Sequence, residues 1–151
     1  MVNEFRPVDE NVFRSGIPDS FKDLEFLKGK GISAIVSLEP MEESMQKKAR
    51  EMGIRVANIH IDEEVPPTDK EVLRALGFIN HNIKKGGKVL IHCEHGKQRS
   101  GTLSALYLAS RGVEPLRAYW EHGTHMTQRH KNFLLDRGEL LRQRHEMRRR
   151  K

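Results

Sequence analysis

Short apolar runs alternate with polar segments of helical spacing over the first two thirds of the chain. VFRSG at 12–16 reads as a short strand ending at Gly16. In PDSFKDLEFLKGKG, Asp19 or Ser20 offers a cap, Phe21, Leu24 and Leu27 keep helical register, and Gly29 and Gly31 supply the stop. ISAIVSLEP follows as a buried strand closed by Pro40. MEESMQKKAREMG has acids early, bases late and Gly53 just past its end, the polarity a helix dipole favours. IRVANIHI (54–61) is strand-like and runs into DEEVPP, where Pro66 and Pro67 let neither element continue.

Thr68 with Glu71 three residues on forms a capping box, and Val72, Leu76, Ile79 and Ile83 hold helical register as far as Gly86-Gly87. KVLIH (88–92) is a short strand. After CEHGKQRSG comes TLSALYLASRG, a mostly apolar helix stopped by Gly112. Residues 115–121 and 127–148 supply two more helices, the last with Phe133, Leu134, Leu140 and Leu141 as its apolar side. Such alternation, without internal repeats, predicts an α/β fold: a single domain with a mainly parallel central sheet flanked by helices.

Composition narrows the setting. The 151 residues are 36% hydrophobic and 32% charged, enough for one domain with a small core and a charged surface. Of the net charge of +6, residues 142–151 carry +5: six bases (Arg142, Arg144, Arg148, Arg149, Arg150, Lys151) against Glu146. The expected division is therefore a domain over 1–141 and a basic tail over 142–151. A single cysteine can form neither an internal disulfide nor a thiolate-rich zinc cage. No run approaches the roughly 18 apolar residues of a membrane span, and the start lacks a basic-then-apolar leader pattern, so a cytoplasmic protein is expected.

The chemistry concentrates around that cysteine. In IHCEHGKQRSG, Cys93 lies between a strand and a helix, six residues before Arg99, with Gly96 inside the turn and Ser100-Gly101 behind it. A chance match to this set of offsets is on the order of one in a million per cysteine. The segment resembles the signature of the cysteine-dependent protein tyrosine phosphatases, His-Cys-five residues-Arg-Ser/Thr-Gly. The spacing also has its own physical reason. Five residues, Glu94, His95, Gly96, Lys97 and Gln98, let the backbone curl so that its N–H groups and the N-terminus of the following helix point at one anion. The same field stabilises a thiolate, so Cys93 is expected to be nucleophilic at neutral pH. Arg99 would grip two phosphoryl oxygens through its planar fork, a geometry lysine cannot imitate.

The resemblance implies further roles. Ser100 would donate a hydrogen bond to the departing sulfur, and His92 would orient the loop. A proton for the leaving oxygen would come from an acid on a separate loop. Asp62, 31 positions before Cys93 and just ahead of Pro66-Pro67, is the leading candidate, with Glu63 as its rival and Glu64 a further option. Gln128, opening the last helix, would position hydrolytic water. Neither a metal nor an organic cofactor is implied. The order of elements is similar to the small dual-specificity branch, whose pocket is shallow, which implies phosphotyrosine and phosphoserine or phosphothreonine proteins as substrates.

Other readings stay open. His95 is similar to the RNA 5′-triphosphatase branch, and Lys97 to phosphoinositide- and inositol-phosphate-cleaving relatives. The alternative expectations are a hydrogen bond within the loop for His95 and an exposed rim charge for Lys97. With the basic tail, His95 makes nucleic acid a second candidate partner. A non-catalytic phosphate-binding module and a redox-sensing thiol are weaker rivals, because both Cys93 and Arg99 are present and no second cysteine could resolve an oxidised one. His122, His125 and His130 have a spacing open to metal, but without thiolates or carboxylates among them they are expected to be solvated surface histidines.

Overall fold

The computed structural model describes residues 2–150; Lys151 of the basic tail lies outside them. Five strands form one sheet: β1 (Arg6–Pro7), β2 (Val12–Ser15), β3 (Ile32–Ser37), β4 (Arg55–Asn58) and β5 (Lys88–His92). Six helices surround it: α1 (Phe21–Gly29), α2 (Glu43–Glu51), α3 (Asp69–Lys84), α4 (Gln98–Ser110), α5 (Pro115–His122) and α6 (Gln128–Arg149). The sheet order is β1-β2-β5-β3-β4, parallel throughout except for the antiparallel edge strand β1. The α/β architecture with a mainly parallel sheet is as the alternation predicted.

β5 is inserted between β2 and β3, and this order determines where a ligand can sit. The connections through α1 and α2 cover one face, and those through α3 and α4 the other. Open α/β sheets hold ligands in the crevice outside the carboxyl ends of such strands. Period-two burial follows. On β5, Leu90 packs with Leu24, Leu27, Met45 and Ala49 under α1 and α2, while Val89 and Ile91 pack with Val72, Ile79 and Leu103 under α3 and α4. α4 is buried around almost its whole circumference, as expected of a helix enclosed by the sheet, α5 and α6.

Several boundaries shift from the sequence reading. β4 covers only Arg55–Asn58 of the 54–61 run, because Ile59 and Ile61 leave the ladder to bond Ser37 O and Leu38 O as the chain bends toward the prolines. β3 stops at Ser37, short of Pro40. α4 starts at Gln98, four residues before the apolar run, so Arg99, Ser100 and Gly101 form its first turn. β1 was not legible: it has two residues, one of them Pro7, which an edge position tolerates.

α6 runs beside α4. His130 Nδ1 lies 3.2 Å from Thr102 Oγ1 at the start of both helices, and His145 packs over Gly112 past the end of α4. The cations from Arg142 onward therefore extend the helix away from Cys93, toward the opposite end of a rod about 33 Å long. Among the described residues, no helix is long and apolar enough to cross a membrane.

The capping box at α3 forms as expected: Glu71 N–H donates to Thr68 Oγ1 at 3.1 Å and Thr68 N–H to Glu71 Oε1 at 2.8 Å. Thr68→Ala should cost about 1 kcal/mol, a fall of roughly 2–4 °C in Tm by calorimetry. An unchanged Tm would show that the box contributes nothing to stability.

Candidate active site

The turn from Cys93 to Arg99 lies at the carboxyl end of β5 and is held from outside by its carbonyls. Glu94 O accepts from Ile17 N–H at 3.0 Å, and Gly96 O from Arg14 Nη1 at 2.7 Å. Because trans peptides are planar, the N–H groups of His95 and Lys97, which share those peptide units, point the opposite way. The free N–H groups of the first turn of α4 are added to them. Gly96 permits the curl through its φ of +76°. A Cβ there would lie 2.5 Å from Gly16 N, so no other residue fits without moving β2's exit.

Cys93 lies at the bottom of this cradle, 2% exposed, with Sγ 3.4 Å from Ser100 Oγ. Ser100 is fully buried in the first turn of α4, so its hydroxyl faces the sulfur by construction. His92 is equally buried. Its Nδ1 lies 3.3 Å from Cys93 O and its Nε2 2.6 Å from Ser37 Oγ. A carbonyl only accepts, so Nδ1 carries the proton and Nε2 accepts from the serine hydroxyl. Burial lowers the His92 pKa to about 4, with the bond to Cys93 O opposing and the charge of Arg99 adding to the effect.

Arg99 is 3% exposed and its fork meets anions already. Nη1 donates to Glu39 Oε1 at 3.3 Å and to Ile61 O at 3.1 Å, and Nη2 to Glu63 Oε1 at 3.1 Å. Glu39 was missed in the sequence. Its signal was present, the single acid in ISAIVSLEP, two residues past a strand that neighbours β5. The 62–65 loop is tied down as well, by a hydrogen bond from Gln98 Nε2 to Glu63 O.

The two acid candidates are placed differently. Asp62 turns back into its own loop, its Oδ1 accepting from Glu64 N–H at 2.7 Å and Val65 N–H at 3.4 Å. The bond from Glu64 N–H holds its carboxyl below the usual range, which opposes proton donation from this arrangement. Glu63 instead lines a cavity of about 720 Å³ together with Cys93, Glu94, His95, Lys97, Gln98 and Arg99. Glu64 is exposed in the same loop.

Gln128 is not among the residues lining that cavity; its amide bonds Asn132 Oδ1 at 2.9 Å, one turn along α6. Lys97 is exposed, as expected. His95 is exposed too, its Nε2 4.0 Å from Glu94 Oε2, and it lies at the cavity instead of hydrogen-bonded within the loop. The expectation of solvated histidines fails for two of three. His122 and His130 are buried against Arg14 and Thr102, whereas His125 is exposed on the cavity's edge. Among the described residues, no group of three or more His, Cys, Asp or Glu side chains could hold a metal ion.

A parallel α/β sheet whose central strand ends in such a cradle, with one cysteine beneath a ring of donors, defines a cysteine-dependent phosphatase architecture. Residues 11–150 match the family described as PTP-SAK: Swiss Army Knife protein, DSP-PTPase phosphatase domain, and the chain belongs to that family, within the cysteine-dependent tyrosine phosphatase superfamily. It is 35% identical over 107 residues to inositol diphosphatase DSP1 of Oryza sativa subsp. japonica, covering 64% of this chain and 45% of the relative. It is 25% identical over 118 residues to phosphatidylglycerophosphate phosphatase PTPMT2 of Arabidopsis thaliana, covering 76% of this chain and 51% of that protein. The chain thus spans about half the length of the curated relatives it matches. Among solved structures, Tk-PTP in its active form superposes with a TM-score of 0.79 at 26% identity, over 92% of this chain and 99% of that one. The core catalytic domain of the PP-IP phosphatase SIW14 from S. cerevisiae, in complex with citrate, shares the fold at 17% identity with a TM-score of 0.78, over 99% and 95% of the two chains.

The buried histidine gives a pH dependence whose sign follows from linkage. An unfolded imidazole takes its proton near pH 6.5 and His92 only near 4, so the unfolded state binds more protons between those values. Its contribution to stability is complete above about pH 6.5 and is lost as pH falls toward 4. Urea denaturation should show about 2 kcal/mol lost to this group between pH 7 and 5. In His92→Asn the loss over that interval should be smaller by that amount; an identical loss would mean that His92 is not held neutral.

Proposed function

We propose that the chain hydrolyses phosphate esters or anhydrides through a cysteinyl-phosphate, with compact, polar, multiply phosphorylated molecules of the inositol-phosphate class as preferred substrates. The carrying observation is the lining of the cavity above Cys93. Among the described residues no aliphatic, phenylalanine, tyrosine or tryptophan side chain lines it; carboxylates, amides, Lys97, Arg99 and the imidazoles of His95 and His125 do, so a phosphorylated polyol meets many polar partners. The similarity to an enzyme named as an inositol diphosphatase supports the same class.

In the proposed cycle the Cys93 thiolate attacks phosphorus as the bond from phosphorus to the leaving oxygen breaks. Arg99 and the inward N–H groups take up the charge that develops on the phosphoryl oxygens. A carboxyl group protonates the leaving oxygen. Water then attacks the cysteinyl-phosphate, its proton passes to the same carboxylate, and sulfur departs with a hydrogen bond from Ser100. Glu63, whose side chain lines the cavity, is better placed for the carboxyl role than Asp62, whose side chain shapes the turn. Substrate would displace Glu63 from Arg99, and the phosphate's negative charge would then favour its protonated form. No step calls for a metal or organic cofactor.

A second reading, phosphotyrosine and phosphoserine or phosphothreonine in proteins, is favoured by the match to Tk-PTP along nearly its whole length. Initial rates on an inositol diphosphate, a phosphotyrosine peptide and triphosphorylated RNA should rank the first highest in kcat/KM. A peptide preference would establish the second reading, and an RNA preference would overturn both.

Cys93→Ser should lower turnover at least roughly a thousandfold while vanadate binding persists. Retained turnover would discard the covalent route. Glu63→Gln should reduce kcat on poor leaving groups by about a hundredfold and leave nitrophenolate release less affected. If Asp62→Asn does so instead, the acid is Asp62.

A further inference from the structure

We infer that Arg14 supplies the cradle with a second, buried positive charge whose counter-ion is the Cys93 sulfur anion or the phosphoryl group bound over it. The inference rests on the cysteinyl-phosphate reading above and adds a residue read in the sequence only as part of a strand. Arg14 lies on β2, opposite Ile91 of β5, and is 4% exposed. It donates from Nη1 to Gly96 O at 2.7 Å and from Nε to His122 Nδ1 at 3.0 Å. Both partners are neutral. A nitrogen that accepts from Nε–H carries no proton, and burial together with the Arg14 charge lowers the His122 pKa, with Glu121 opposing and Arg6 adding to the effect.

Among the described residues no carboxylate oxygen lies within salt-bridge distance of this guanidinium; Glu4, the acid nearest in effect, is paired to Arg6 at 3.1 Å. The negative charges that favour a charged Arg14 are those of Cys93 and then Glu4, while burial and Arg6 oppose it. A buried guanidinium without a counter-ion is costly, and a neutral donor could hold Gly96 O equally well. The charge itself is therefore what the position supplies. It acts from behind the loop, with the Gly96–Lys97 peptide between it and the anion. By polarising that carbonyl it also strengthens the Lys97 N–H of the same peptide unit as a donor into the cradle. Arg14 is thus a positioning and electrostatic residue that touches no substrate.

Cys93 is the one cysteine in the chain, so alkylation by iodoacetamide reports on it alone and needs no substrate. The quantity to compare is the ratio of rates at about pH 6 and about pH 9.5, which cancels differences in access. Arg14→Met should lower that ratio at least about fivefold, and Arg14→Lys should restore it to within about twofold of the parent. His122→Asp, which keeps Arg14 and its bond to Gly96 but places a carboxylate on Nε, should lower the ratio like Arg14→Met. An unchanged ratio in folded Arg14→Met or in His122→Asp overturns the inference, and if Arg14→Met does not fold, His122→Asp decides. A chain that alkylates as expected but hydrolyses none of the phosphate substrates refutes the proposed function instead.

Discussion

The structure depends on converging hydrogen-bond donors at one point where no strand or helix can satisfy them. A curl of five residues between β5 and α4 turns its carbonyls outward onto Ile17 and Arg14, and so its amides inward. Everything nearby serves that inversion. The insertion of β5 between β2 and β3 brings Arg14 to one side and Glu39 to the other. Gly96, with its positive φ and no Cβ to meet Gly16, lets the curl close. α4 is buried around almost its whole circumference, which holds its first turn in place behind the curl.

Much of this was legible in the sequence because local chemistry and global topology agree. The Thr68–Glu71 box, the KVLIH strand and the glycine stops each state their element without tertiary information. The spacing from Cys93 to Arg99 stated the turn as well. What was not legible depended on contacts between distant segments. β1 is too short to carry a pattern and exists only because β2 offers an edge. The start of α4 was hidden because Gln98, Arg99 and Ser100 are polar, the last two buried at the site, which hydrophobic periodicity does not report.

The histidines show the same limit from the other side. In sequence, His122 and His130 resemble any polar residues near a loop, and surface exposure was the economical expectation. Their burial follows from partners that come from other elements, Arg14 on β2 and Thr102 on α4. Glu39 likewise gained meaning only when β3 was seen beside β5, which places its carboxylate against Arg99.

The Arg99 fork is held by the carboxylates of Glu39 and Glu63. Under the function proposed above, a ligand reaches that fork in competition with two tethered carboxylates, which favours a molecule with further polar contacts to make over one that offers the fork alone.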